Sequence, residues 1–176
     1  MRRFPTLSGL LLLLVLTACG GPARQGDVGQ PAALECVPFA RALSGINIHG
    51  DAAEWWWRAS GQYYEGRVPQ VGAVLVFAQS PTLPRGHVSV VSQVLSQREI
   101  LVTQANWVHH HVTTDQLVVD ISPYGDWSLV RAWWPPANTL GNTRYPILGF
   151  IYSGYPASHD QIVRAVPEAM HLAQNQ

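Results

Sequence analysis

The chain contains no lysine. All 11 basic residues are arginine, 11 acidic residues balance them, and only 12% of residues are charged. With no surplus of positive charge there is no polyanion-binding surface, which argues against nucleic acid as a partner. Long apolar runs are also missing: the longest, Leu10 to Leu16, falls far short of the roughly 20 residues a membrane span needs. No pair of carboxylates stands out of the kind that glycoside hydrolysis requires, and no internal repeat is visible. Cysteine is scarce, with only Cys19 and Cys36. No Cys or second His cluster completes a zinc pattern around His109, His110 and His111, and consecutive residues on a strand cannot all face one ion. Neither a metal nor any other cofactor is therefore expected. What is present is apolar bulk. Hydrophobic residues make up 47% of the chain, enough for the core of one globular domain.

The N-terminus joins Arg2-Arg3, a short apolar run and the small residues Thr17-Ala18, the pattern of a secretory signal peptide over residues 1–18. Leu16-Thr17-Ala18-Cys19 resembles the lipobox of bacterial lipoproteins, which implies lipidation at Cys19 and a membrane anchor. Gly20, where an aspartate could stand, resembles sorting to the periplasmic face of the outer membrane. Residues 19–32 are rich in Gly, Pro, Gln and Ala and read as a flexible tether. Cys36 is then left without a partner in an oxidising compartment, a candidate reactive thiol. It could also be a small buried apolar residue. Its setting favours the thiol reading, because Glu35-Cys36-Val37-Pro38 reads as a helix start with Pro38 in the first turn. A helix N-terminus lowers a thiol's pKa and offers backbone N–H groups to an anion.

The first helix ends at Ser44-Gly45. A second spans Asp51 to Ala59, with Asp51 and Glu54 spaced as a capping box. Short β-branched or aromatic runs follow at Ala73–Phe77, Val88–Leu95, Ile100–Ala105, Leu117–Ile121, Ser128–Trp133 and Ile147–Tyr152, punctuated by Gly, Pro and Asn. Helices first and strands afterwards predict an α+β fold with N-terminal helices packed on an antiparallel sheet. Residues 156–176 read as a partly helical tail broken by Pro167.

A nucleophilic cysteine needs a base. His87 follows Gly86 and opens the strand His87-Val88-Ser89-Val90-Val91, where it can face a groove while the strand is buried. The next strand ends with Gln104 and Asn106, two residues apart and so on one face. Either amide could fix the imidazole tautomer, as an asparagine does in papain-like proteases. Trp55-Trp56-Trp57 spans most of a helix circumference, so one ring is expected in the core and one outside. Trp107 is open to two readings, core packing or a platform for sugar faces beside the groove.

Glu35-Cys36-Val37-Pro38-Phe39-Ala40-Arg41, Val68-Pro69-Gln70-Val71-Gly72-Ala73-Val74, Gly86-His87-Val88-Ser89 and Gln104-Ala105-Asn106-Trp107 together resemble the CHAP domains, cysteine- and histidine-dependent amidohydrolases/peptidases. The resemblance extends over residues 33–155. It implies a papain-like fold, Cys36 as nucleophile, His87 as base, and peptidoglycan as the substrate whose amide bond is cut. In many relatives a glutamate stands where this chain has Gln104, which can orient an imidazole but not neutralise an imidazolium. The alternative from another class is a non-catalytic cell-wall-binding or scaffold lipoprotein.

Overall fold

The computed structural model describes residues 26–175; the signal and Cys19 readings fall outside them. In chain order the elements are β1 (Val28–Pro31), α1 (Cys36–Ser44), α2 (Trp55–Ala59), β2 (Tyr64–Gly66), β3 (Val74–Phe77), β4 (His87–Val94), β5 (Glu99–Ala105), β6 (His111–Asp120), β7 (Leu129–Trp134), β8 (Thr139–Leu140), β9 (Tyr145–Tyr152) and α3 (His159–Gln174). Six strands close on themselves in the order β6-β5-β4-β3-β9-β7 and back to β6, every pairing antiparallel. The remaining three, β1, β2 and β8, pair with β6, β9 and β7.

This corrects the α+β, papain-like expectation of helices packed on a sheet. The chain is mostly β, a closed barrel with three added strands and helices of 9, 5 and 16 residues. Closure is produced by the far half of β6, where Val118, Val119 and Asp120 pair with Ala132, Arg131 and Val130. Register shifts within the β3–β9, β4–β5 and β5–β6 ladders bend the strands, as bulges do.

The barrel strands have two buried faces, so β3 is apolar at every position rather than alternating. One set of side chains, including Leu75, Phe77, Val102, Val118, Trp127 and Phe150, fills the barrel. The opposite set, including Val74, Val76, Val88 and Val90, packs under Phe39, Ala40 and Leu43 of α1 and Ile162 and Ala169 of α3. Burying a side chain such as Phe39, which is fully buried, stabilises by about 1.5–3 kcal/mol. This outer layer is what fixes α1, and with it Cys36, against β4.

Several local expectations change. Val28–Pro31, inside the stretch read as tether, form β1 on β6. Asp51 makes no capping hydrogen bond; its carboxylate holds the Arg85 guanidinium instead, while Glu54 pairs with Arg58. Pro167 does not break the tail, because α3 runs through it as one helix, opened by a capping box between Ser158 and Gln161. Pro167 and the residue whose carbonyl it leaves free, Val163, both lie on the exposed face, where water can take the lost bond. Of the three tryptophans on α2, Trp55 is fully buried and Trp57 is 69% exposed.

Candidate active site

Cys36 is the first residue of α1, and Gly45 in the left-handed region closes that helix. Glu35 precedes Cys36 in extended backbone and does not cap the helix with its side chain. Its carboxylate instead accepts from Asn106 Nδ2 at 3.0 Å. The N–H groups of Cys36 and Val37 lie in the first turn, where they have no intrahelical partner. The backbone N–H groups of Val88, Val37 and Cys36 favour the thiolate form. Cys36 packs against the outer cluster that includes Val88, the residue after His87.

Gly86 makes His87's position possible. Its φ is +68°, and a Cβ there would lie 2.7 Å from the backbone nitrogen of Ala53 and 2.9 Å from the carbonyl oxygen of Phe77, so no other residue fits the turn. The chain then enters β4 with the His87 ring turned toward the inner cluster. The ring centroid lies 5.5 Å from Phe77 and 5.1 Å from Trp107, and His87 is only 4% exposed. His87 Nε2 lies 2.9 Å from Gln104 Oε1. An amide oxygen only accepts, so Nε2 carries the proton and Nδ1 keeps the lone pair.

Gln104 is therefore the residue that orients His87. Asn106 does not reach the ring. It lies just past the end of β5 with φ +62°, which breaks the alternation that would have aligned it with Gln104. Its side chain serves the loop, binding Glu35 and accepting from the His110 N–H at 3.0 Å. Trp107, the sugar-platform candidate, is packed behind the imidazole. Its indole contacts His87, Phe77 and Tyr145 and donates from Nε1 to the Trp133 carbonyl at 3.0 Å.

A cleft of about 530 Å³ opens over the thiol. Cys36, Val37, Pro38, Leu83, Pro84, His87 and Asn106 line it, with the Asp51–Arg85 ion pair and Glu35 at its polar edge. These three charged residues escaped sequence reasoning. Arg85 sits beside the Gly86-His87 motif, but Asp51 reads from the sequence as a helix cap.

The electrostatics reverse one expectation. Burial pushes the Cys36 thiol above its ordinary pKa, and the nearby Glu35 carboxylate adds to this, outweighing the backbone N–H groups that favour thiolate. Burial also pulls His87 down to about 4, against the smaller opposing effect of Gln104. The resting pair is thus a neutral thiol and a neutral imidazole. The helix N-terminus does not win, because the water removed from around Sγ solvated the thiolate better than a first turn does. Among the described residues no group of three or more His, Cys, Asp or Glu side chains converges as metal ligands.

A helix-borne thiol, an imidazole opening the next packed strand and an amide behind it repeat the order of the sequence motifs. The CHAP domain family model matches residues 25–106. Cys36, His87, Gln104 and Asn106 all fall within the match, which ends before β6. CHAP domains are generally amidase or peptidase domains associated with peptidoglycan hydrolysis. No curated protein matches the chain.

Proposed function

We propose that this chain is a peptidoglycan hydrolase that cleaves an amide bond by a cysteine–histidine mechanism. The observation that carries the reading is that Cys36 and His87 line one cleft, with the imidazole held at Nε2 by Gln104, which leaves Nδ1 as the base. Because both groups rest neutral, proton removal accompanies attack. As Sγ bonds to the carbonyl carbon, the thiol proton passes to His87. The oxyanion that forms lies against the Cys36 backbone N–H at the helix start. Collapse breaks the C–N bond, and His87 gives its proton to the departing amine. Water, deprotonated by His87, then cleaves the thioester and restores the thiol.

The test is product analysis. The full chain incubated with peptidoglycan is expected to release new amino groups and no new reducing sugar ends. Reducing ends without amines would overturn the amidase reading. No release from any peptidoglycan type would favour the cell-wall-binding lipoprotein.

The anchor belongs to the same proposal. Lipid attached at Cys19 would hold the barrel to the membrane, on the periplasmic face of the outer membrane. Cys19→Ser is expected to leave an uncleaved precursor that takes up no labelled palmitate, and equal labelling of mutant and wild type would refute the anchor.

A further inference from the structure

Gln104 poses a problem that a glutamate would not. A carboxylate offers His87 an acceptor whichever way it turns, whereas an amide rotated by half a turn offers N–H groups. His87 would then carry its proton on Nδ1, and the thiol would lose its base. Something must hold the amide the right way round, and among the described residues no direct partner does: there its side chain's one hydrogen bond is to His87.

The inside of the barrel supplies the means. Gln104 pairs with Thr113 across the β5–β6 ladder and Val102 with Gln116, while continuing the Val90–Thr103 register sets Ser89 opposite Gln104. Residues 113 and 116 would ordinarily face opposite sides of β6. The extra residue between them, with Asp115 at φ +52°, turns both inward. Directly opposed side chains have Cβ atoms about 4.5–5.5 Å apart, which joins Ser89, Gln104 and Thr113. Gln116, opposite Val102, lies diagonally from Gln104 at about 7–8 Å, within reach of a long side chain, so the four form one polar patch beneath His87. All are essentially buried, at 0–1% exposure. Gln116 donates from Nε2 to the Thr114 carbonyl, and its Oε1, Ser89 Oγ and Thr113 Oγ1 are buried without a partner among the described residues. Orphaned polar atoms of this kind are costly when dry and are commonly satisfied by an internal water.

We propose that an internal water binds among Ser89, Gln104, Thr113 and Gln116, and that through it Gln116 is a positioning residue for His87. This rests on the reading of His87 as the base. Gln116 Oε1 only accepts, so the water donates to it and is best faced on its other side by an N–H of Gln104. A hydroxyl of Ser89 or Thr113 accepts the water's other proton, so only its lone pairs are left to face Gln104. Gln104 therefore turns its oxygen to His87, and the Nε2–H tautomer follows. The two hydroxyls, which both donate and accept, complete the water's hydrogen bonds.

The experiment uses the full chain with ¹⁵N-labelled histidine. In wild type the His87 ring is expected as the Nε2–H tautomer. Gln116→Met is expected to move a substantial fraction to Nδ1–H and to lower kcat about tenfold with KM unchanged. In a Gln104→Glu background, where the acceptor cannot be turned away, Gln116→Met is expected to have no further effect on either readout. An unchanged tautomer in folded Gln116→Met would overturn the proposal. Should that variant not fold, a high-resolution crystal structure of wild type decides: a water within hydrogen-bond reach of Ser89 Oγ, Thr113 Oγ1 and Gln116 Oε1 supports it, and a dry site overturns it. The tautomer and water readouts need no substrate, so absence of turnover with both present would count against the hydrolase reading alone.

Discussion

Cys36→Ala is expected to abolish amine release from peptidoglycan, and His87→Ala to reduce it by about 10²–10⁴-fold, the range for loss of a positioned general base. The two effects should not add. With the thiol raised in pKa by burial, little thiolate exists at neutral pH without His87 to take the proton as attack occurs. Once either partner is lost the other contributes little, so the double substitution should resemble Cys36→Ala alone. The backbone N–H groups that favour the thiolate survive in His87→Ala, and residual activity in that variant measures what they achieve by themselves. Both variants must first be shown folded, because His87 packs on Phe77 and Trp107 and its truncation opens a cavity. Wild-type rates in Cys36→Ala would remove the thiol from the mechanism.

The parts of this arrangement differ in how plainly the sequence shows them. The runs at β3, β4 and β5 stand out because strands buried on both faces are apolar throughout. The first half of β6 does not. His111-Val112-Thr113-Thr114-Asp115-Gln116 reads as polar because its inward positions are Thr113 and Gln116 and a bulge interrupts its alternation. Barrel closure is hidden for a different reason: periodicity tells which face of a strand is buried, not which strand lies beside it, and the contact of Val118–Asp120 with Val130–Ala132 is such a pairing. The helix start at Cys36 and the glycine before His87 are local signals, and both catalytic candidates follow from them. The choice between Gln104 and Asn106 depended on a single dihedral angle at Asn106, which a two-residue spacing cannot convey. The thiol's pKa was misjudged because the helix N-terminus is written in the chain, whereas the burial of Sγ against β4 is made by tertiary packing.

Acidification is expected to destabilise the fold through His87 by about 3 kcal/mol. An unfolded histidine titrates near 6.5, whereas the buried ring titrates at about 4. Between those values the unfolded chain binds a proton that the folded chain does not. Stability from this residue is therefore complete above about pH 6.5, falls as the pH drops from there toward 4, and falls no further below. At about 1.4 kcal/mol per pH unit the loss comes to about 3 kcal/mol, a large share of a typical domain's stability. The cause is desolvation: Phe77 and Trp107 pack against the ring, and only the neutral Gln104 offsets a positive charge there, in small part. Comparing denaturant unfolding of wild type and His87→Gln at pH 7 and pH 4 isolates the contribution, because other titrating groups are common to both. The wild-type advantage should shrink by about 3 kcal/mol, and equal pH dependence of the two proteins would show that His87 titrates normally. The same proton sets the acid limb of kcat/KM, which reports the free enzyme's base. Since His87 must be neutral to accept the thiol proton, that limb should lie near pH 4, and turnover at pH 5.5 should remain close to its neutral value as long as the protein stays folded.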